Sequence, residues 1–519
     1  MSSAVLPRKL IILALVLPVA AYVGFQLADP DYETLKKVAL LVGLLCVPLI
    51  LKWHHPMLIF CWNLPMMFFF LPGSPHLWML MSFISLGISV VGTILDKDQK
   101  LMHVPIMTWA MIGLVLVVLF TMKMTGSGLG LRAFGGSTYG AKKYFFILFA
   151  VVGYFAISCR RFPAAKADGY IGMLVLPGVA TGLSNLIYVL GPGLWFLYAM
   201  FPVDWALGQA MEDFSLNATS VKIGRIGGLA VVGQTLFSYM LARFGIRGVF
   251  EFTKPWRLAV FAVVSVFGLL GGFRSVLVTY VCMLAIQFFL EGLHKTRLLP
   301  SMLALGVVGF LLLIPLAGRL PLPVQRCLSV LPLDVDPVVK ADALGSIEWR
   351  KQMWTVLLPE IPKHFWVGKG YTASSADYYL TQHAMRLGFL KDFEGSLLAG
   401  DYHNGPLSVL IPFGIWGLLA FLFFIGASLH VLINNYRNGD SAIQRINTFL
   451  LATFLTCLLL FTVLFGAVHL DIAVFAGLVA FSISLNGGVR RKRTALAPVP
   501  AGQDAKPAVV RARPVFARS

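Results

Sequence analysis

Charged residues are scarce in this chain. Only 13% of its 519 residues are Asp, Glu, Lys or Arg, roughly half of the quarter that is typical of soluble domains. Hydrophobic residues make up 58%, and the mean hydropathy is +0.81. This composition excludes a soluble enzyme built around one apolar core. It predicts an all-α polytopic membrane protein, because the bilayer requires each backbone polar group to be hydrogen-bonded within a helix.

Cysteines and acidic residues are also few. The six cysteines form no Cys-x-x-Cys pair, and their pattern indicates neither a disulfide framework nor a metal or redox site. Asp and Glu total 23 against 42 Lys and Arg, which gives a net charge of +19. The positive residues lie between hydrophobic runs and not on a basic soluble domain, so nucleic acid is not an expected partner.

Hydrophobic runs divide the chain into four regions. The runs lie at roughly 10–27, 37–51, 56–72, 76–95, 104–121, 144–158, 171–190, 225–242, 257–273, 274–290, 301–317, 405–432, 446–465 and 468–486. With ~20 residues needed to cross a bilayer, they predict about 12–14 transmembrane helices. We expect about eleven of them in residues 1–317, a long polar loop at 318–404, further helices at 405–486 and a basic, disordered tail at 487–519.

The distribution of positive charge predicts the topology. With the N-terminus in the cytoplasm, most Lys and Arg residues of short loops fall on the cytoplasmic side, together with Arg490-Arg491-Lys492-Arg493. Both termini are then inside, and the loop at 318–404 is outside. An alternative for segment 10–27 is a cleaved signal peptide, with Ala20-Ala21 near the cleavage point. Cleavage would leave the long loop on the same side.

Several positive residues break this rule and fall on the outer side. The four of most interest either have glycine neighbours or lie in the long loop. They are Arg132, Arg225, Arg274 and Arg350. The others are Lys123, Lys142, Lys143, Lys222, Arg319 and Arg326. A lone arginine of this kind could simply extend to the lipid headgroups. As a set, they predict a pocket for a lipid-linked phosphate or pyrophosphate, because guanidinium matches phosphate bidentately and stays protonated.

The long loop supplies two further features. Apolar residues at helical spacing over 346–361 predict an amphipathic helix on the membrane or the bundle, with Ser346 as N-cap. His403 directly precedes a membrane run, between Asp401 and Asn404, which could orient its ring. It is either an ordinary surface histidine or a general base for a sugar hydroxyl. The cluster His469-Leu470-Asp471 could join this site or cap its own turn.

Short motifs in this part of the chain resemble the O-antigen ligase and O-antigen polymerase (Wzy-type) superfamily. Arg350-Lys351-Gln352-Met353-Trp354 with Gly368-Lys369-Gly370 is similar to its Arg-x-x-x-Trp … Gly-x-Gly stretch. His403-Asn404-Gly405-Pro406-Leu407 with Gly414-Ile415-Trp416-Gly417 is similar to its His-Asn-x-x-Leu … Gly-x-x-Gly signature. Phe273-Arg274-Ser275 resembles its Ser-Arg turn, with Phe273 where serine is common.

The resemblance implies a metal-independent, cofactor-free glycosyltransferase of C type in the bacterial inner membrane. Its donor would be an undecaprenyl-diphosphate-linked glycan at the periplasmic face, and its acceptor a glycan, lipid A-core or a protein. His403 would activate the acceptor hydroxyl, and Arg225 and Arg274 would hold the leaving diphosphate. Arg350 would assist from the loop. From the residues themselves, and not from the resemblance, Arg132, Asn404 and Asp401 are further predicted to take part in substrate binding.

Two other classes remain open at this level. A transporter or flippase for an anionic or lipid-linked substrate would also need outer cations, although such proteins usually carry ionisable residues at mid-membrane and internal repeats. A scaffolding membrane protein would leave the outer arginines unexplained. The sequence does not separate polymerase from ligase.

Overall fold

The chain folds into helices throughout the part that is described. A computed structural model describes residues 8–26, 31–96, 100–127, 141–204, 224–391 and 393–491. Within these residues β-structure is limited to one isolated bridge between Met67 and His76. The predicted all-α membrane fold is confirmed. Arg132, Lys222 and the tail from Lys492 onward lie outside the described residues.

The first half of the chain contributes eight α-helices to the described residues. They are α1 (Arg8–Gln26), α2 (Tyr32–Cys61), α3 (Leu77–Leu95), α4 (Pro105–Thr125), α5 (Ala141–Ser158), α6 (Ala167–Val175), α7 (Leu183–Leu190) and α8 (Gly227–Val249). A 3-10 turn at Leu176–Gly182 joins α6 to α7.

The second half contains both long and short helices. The long apolar ones are α9 (Pro255–Leu269), α10 (Arg274–Leu290), α11 (Leu298–Leu316), α17 (Gly405–Asn438), α18 (Gln444–Val463) and α19 (Val468–Asn486). Between α11 and α17 the chain forms α12 (Leu322–Leu328), α13 (Pro337–Leu357), α14 (Glu360–Lys363), α15 (Ser375–Arg386) and α16 (Glu394–Ala399).

Nine helical segments of the described chain are long and apolar enough to cross a membrane, and three shorter apolar helices accompany them. Three predicted runs differ from the observed helices. The runs 37–51 and 56–72 become one helix, α2, which is kinked at Trp53 and ends at Cys61. The run 171–190 is split by the 3-10 turn, where Pro177 removes a backbone donor.

The C-terminal helices form the centre of the bundle. In α19 and the segment Ser441–Val463, 78% and 61% of the most apolar window is buried, whereas α2 and Leu298–Arg319 bury none of theirs. α5 packs against α3 and α19, and α17 packs against α4. The peripheral helices therefore present their apolar side chains to lipid. The central helices α18 and α19 support the segments that flank the polar loop between α11 and α17.

α13 begins earlier than the sequence pattern predicts. Asp336 caps it by accepting a hydrogen bond from the backbone N–H of Val338 at 2.8 Å, and Pro337 occupies the first turn. Ser346 lies inside the helix, where its hydroxyl donates to the carbonyl of Asp342 at 2.9 Å. The prediction of Ser346 as N-cap is wrong, because the Asp-Pro pair is the stronger start signal.

Candidate active site

Four arginines from separate segments lie close together beside α13. This arginine cluster consists of Arg225, Arg274, Arg326 and Arg350. Asp342 accepts a hydrogen bond from Nε of Arg326 at 2.5 Å, and its other oxygen lies 3.6 Å from Nη2 of Arg225. Arg274 donates from Nη1 to the carbonyl of Ala343 at 3.3 Å. The structure therefore brings together three arginines that sequence reasoning placed in one site.

A close backbone approach positions two members of the cluster. The backbone N–H of Ile226, next to Arg225, donates to the carbonyl of Gly271 at 3.1 Å. A Cβ on Gly271 would lie 2.7 Å from the backbone nitrogen of Ala230, closer than real side chains permit. Gly272 has φ +77°, which favours glycine. The Gly-Gly turn before Arg274 is thus required for the start of α8 and the start of α10 to meet.

Arg326 holds this arrangement from the interior. It is 3% exposed, and Nη1 donates to the carbonyl of Gly272 at 2.6 Å while Nε binds Asp342. Two guanidiniums share Asp342, so the cluster retains excess positive charge. The pKa of Arg225 is lowered by burial and then by Arg326, and the same two causes lower the pKa of Arg350. An incoming anion would relieve this repulsion.

His403 lies beside α13 in a constrained conformation. Its φ is +47°, a left-handed value that few non-glycine residues adopt. Its ring packs against Trp349 with centroids 5.3 Å apart, and the indole N–H of Trp354 donates to the carbonyl of Tyr402 at 2.9 Å. α13 therefore carries Arg350 to the cluster and places two tryptophans against the histidine segment.

The electrostatics of His403 favour a neutral ring. Burial lowers its pKa below the ordinary value of 6.5, the charge of Arg350 lowers it further, and Asp401 acts in the opposite direction. A lowered pKa favours the neutral imidazole, which is the form that can accept a proton. The influence of Arg350 on His403 also shows that the histidine and the arginine cluster are electrostatic neighbours.

The two predicted neighbours of His403 have other contacts. Asn404 is the N-cap of α17, and its Oδ1 accepts from the backbone N–H of Leu407 at 3.0 Å. Asp401 accepts from Nζ of Lys143 at 2.7 Å, and Nε2 of His469 lies 3.9 Å from the same oxygen. Of the cluster His469-Leu470-Asp471, His469 thus approaches the site.

Asp471 caps its own turn, the second role predicted for the cluster His469-Leu470-Asp471. Its Oδ2 accepts from the backbone N–H of Ala467 at 2.8 Å, so it caps the first turn of α19. Within the described residues, no group of three or more His, Cys, Asp and Glu side chains is arranged as a metal site would require. Arg132, the remaining predicted binding residue, is not among the described residues.

The glycine motifs form a joint between the loop and α17. Gly414 adopts φ +64° and interrupts α17 after Pro412. The interruption lies about nine residues, roughly 14 Å, from the start of the helix. The backbone N–H of Lys369 donates to Ile411 O at 2.8 Å, and that of Gly370 donates to Pro412 O at 3.0 Å. Loop backbone thus replaces the donors that the interrupted helix lacks.

At this joint, α17 also donates a hydrogen bond to the loop. The backbone N–H of Ile415 donates to the carbonyl of Phe365 at 2.7 Å instead of continuing the helix. Gly368 has φ +83°, and a Cβ there would lie 2.2 Å from the carbonyl oxygen of Pro412. Gly368 and Gly414, one from each glycine motif, are therefore required by backbone contact, and they fix the loop that leads to His403.

Sequence reasoning did not single out Asp342 or Arg326. Asp342, Ser346 and Arg350 lie at i, i+4 and i+8 on one face of α13. That spacing is visible only if the helix is extended back to Pro337. Arg326 stood among the outer cations, and its burial depends on tertiary contacts that no local pattern reveals.

Comparison with known proteins supports the resemblance. Residues 258–422 match the family described as O-antigen ligase. The matched region contains Arg274, Arg326, Arg350 and His403, whereas Arg225 precedes it. No curated protein matches the chain. The match supports a membrane role in glycan ligation or polymerisation and a glycosyltransferase-like activity. The predicted resemblance to the O-antigen ligase and O-antigen polymerase superfamily is thereby confirmed.

Proposed function

We propose that the protein transfers a glycan from an undecaprenyl diphosphate carrier to an acceptor hydroxyl at the periplasmic face of a bacterial inner membrane. The observation that carries this proposal is that one helix, α13, both packs against His403 through Trp349 and contributes Arg350 to the arginine cluster. The acceptor would be another lipid-linked glycan, lipid A-core or a protein. Polymerisation and ligation use the same chemistry and differ only in that acceptor.

In the proposed reaction, His403 accepts the proton of the acceptor hydroxyl as its oxygen attacks the anomeric carbon. The bond from that carbon to the carrier diphosphate breaks, and its electron pair moves to the departing diphosphate oxygen. Negative charge grows on the leaving group, and fixed donors already aimed at it stabilise that charge. Arg225, Arg274 and Arg350 would supply these donors.

Arg326 has a different part in the proposal. Its guanidinium is occupied by Asp342 and by the carbonyl of Gly272. It would therefore hold Arg225 and the Gly271-Gly272 turn in place instead of binding donor directly. Asp342 would limit the repulsion among the arginines while the site is empty. The pair would leave the cluster open to an anion with little rearrangement.

Complementation of a strain lacking the gene tests the proposal. We expect His403→Ala and Arg274→Ala to abolish surface glycan, while membrane levels on blots stay normal. His383→Ala and Arg386→Ala serve as matched controls, because both residues are exposed in the same loop. Single repeat units on the carrier would identify a polymerase, and long carrier-linked chains a ligase. Restoration of wild-type glycan by both test variants would refute the catalytic assignment and favour a transporter or flippase.

A further inference from the structure

Lys143 lies in the first turn of α5 and is fully engaged with the segment before His403. Its Nζ donates to Oδ1 of Asp401 at 2.7 Å and to the carbonyl of Ala399. Its side chain is 15% exposed, and Nζ lies 5.4 Å from the ring centroid of Tyr371. A lysine with two acceptors and an aromatic face has little capacity left for substrate.

Asp401 is held from two membrane helices at once. Besides Lys143 of α5, it has Nε2 of His469 in α19 at 3.9 Å. His469 is 6% exposed and Tyr371, which packs between them, is 5% exposed. The side chain of Asp401 itself is 43% exposed, whereas its two partners are largely buried. The bundle therefore contacts the carboxylate of Asp401, while its backbone N–H donates to the carbonyl of Ser396 in its own loop at 2.8 Å.

The residues around His403 fix a conformation that the histidine would not adopt alone. A left-handed φ at a non-glycine residue is strained and persists where the surroundings determine it. Asn404 caps α17 on one side of His403. On the other side, Trp354 binds the carbonyl of Tyr402, and Lys143 binds Asp401. The lysine is the contact that joins this segment to α5.

We infer that Lys143 is a positioning residue for His403, acting through Asp401, and that Asp401 serves this ion pair instead of binding substrate. The inference rests on the proposed function of His403 as the base. It differs from the expectation that Asp401 contacts substrate. Charged and titratable groups face His403 and Asp401 from all sides: Arg350 from α13, Lys143 from α5, His469 from α19, and Tyr371 and Tyr402 from the loop.

The experiment uses full-length protein mixed with detergent-solubilised membranes of the deletion strain, which hold accumulated donor and acceptor. Release of polyprenyl diphosphate gives the initial rate. We expect Lys143→Met to lower the rate by about 10- to 100-fold, the scale of a displaced catalytic group. Binding of undecaprenyl diphosphate itself should stay within about twofold, and Lys143→Arg should restore most of the rate because it keeps the charge.

Two readouts separate positioning from a general structural effect. Because Lys143 and Asp401 act as one unit, Lys143→Met/Asp401→Asn should be about as slow as Lys143→Met alone. The low-pH limit of the rate, meaning the pH at which the rate falls to half of its maximum on the acidic side, should also shift. Lys143→Met leaves the Asp401 charge unopposed, which raises the pKa of His403 and moves the limit to higher pH. Asp401→Asn removes that charge and moves the limit to lower pH.

Several results would overturn the inference. If Lys143→Met keeps the wild-type rate while His403→Ala is inactive, Lys143 has no positioning role, although the proposed function stands. If the two single effects multiply in the double variant, the residues act independently. If Lys143→Met fails to reach the membrane, Asp401→Asn still decides, because a wild-type rate in that variant contradicts the role of the pair. Full activity of His403→Ala would instead refute the underlying function.

Discussion

The indole of Trp349 meets the imidazole of His403 edge-on, with ring centroids 5.3 Å apart and ring planes inclined by 70°. Trp349 is the residue before Arg350, so one turn of α13 supplies both the packing surface and a charge for the histidine. This contact, together with the hydrogen bond from Trp354 to Tyr402, makes α13 the element that orients the proposed base.

We expect Trp349→Ala to lower the transfer rate by about tenfold or more, because the imidazole loses its packing partner and its geometry loosens. Trp349→Phe should retain most of the rate, since it keeps an aromatic edge at the same place. The assay is polyprenyl diphosphate release from donor-loaded membranes. Trp109→Ala is the matched control, because Trp109 is exposed on α4. Equal rates for Trp349→Ala and wild type would contradict the role of this ring.

The pH dependence should respond to Arg350. His403 acts as a base only when neutral, so the rate falls as the pH drops through its pKa, which lies below 6.5. The charge of Arg350 lowers that pKa, and Arg350→Gln should therefore raise it and move the low-pH limit of the rate upward. The maximal rate should also fall because a donor for the diphosphate is lost. A rate loss with an unchanged pH limit would show that Arg350 does not act on the histidine.

Arg326 should matter for stability more than for binding. Its removal takes the closer of two guanidiniums from Asp342 and leaves the carbonyl of Gly272 without its donor. Arg326→Met should therefore destabilise the protein by on the order of 3 kcal/mol, as for a broken buried ion pair. Thermal denaturation in detergent, followed by aggregation onset, measures the effect. Arg326→Met/Asp342→Leu should recover part of the loss, because it also removes the carboxylate that has lost its closer partner. If the double variant is no more stable than Arg326→Met, the loss of stability does not come from the Arg326–Asp342 pair.

Gly368 and Gly388 form a matched pair for testing the joint between the loop and α17. Both have positive φ, +83° and +77°, but only Gly368 has no space for a Cβ. Gly388→Ala should cost about 1 kcal/mol from backbone strain alone. Gly368→Ala should sharply reduce folded protein in the membrane, because the Cβ would collide with Pro412. Fluorescence-detected size exclusion of both variants compares them, and equal yields would contradict the model of a tight joint.

The fold class followed from composition, because a bilayer leaves few alternatives to apolar helices. The helix breaks at Trp53 and Leu176–Gly182 could not be placed in the same way. They depend on packing against neighbouring helices, while hydropathy averages over such positions. The loop helix α13 was half predicted: its C-terminal apolar spacing was visible, but its polar first half was hidden by the absence of apolar periodicity.

Some residues of the candidate site could be predicted from the sequence, and others could not. Arg225, Arg274 and Arg350 were accessible to sequence reasoning, because positive charge on the wrong side of a membrane is unusual. Asp342 was not, since a single acid in a polar loop has no distinguishing pattern. The pairing of Asp401 with Lys143 joins positions more than 250 residues apart, a relation that only the packed bundle creates.

The interruption of α17 has a consequence for how the protein is assembled. A membrane helix normally completes its hydrogen bonding from its own chain as it enters the lipid. Here Ile411 and Pro412 take donors from residues 369 and 370, which are synthesised earlier. A chain cut between α16 and α17 would therefore insert a span with carbonyl groups lacking donors in hydrocarbon, at several kcal/mol each. The polar loop and this span must mature as one unit, and neither is a separable module.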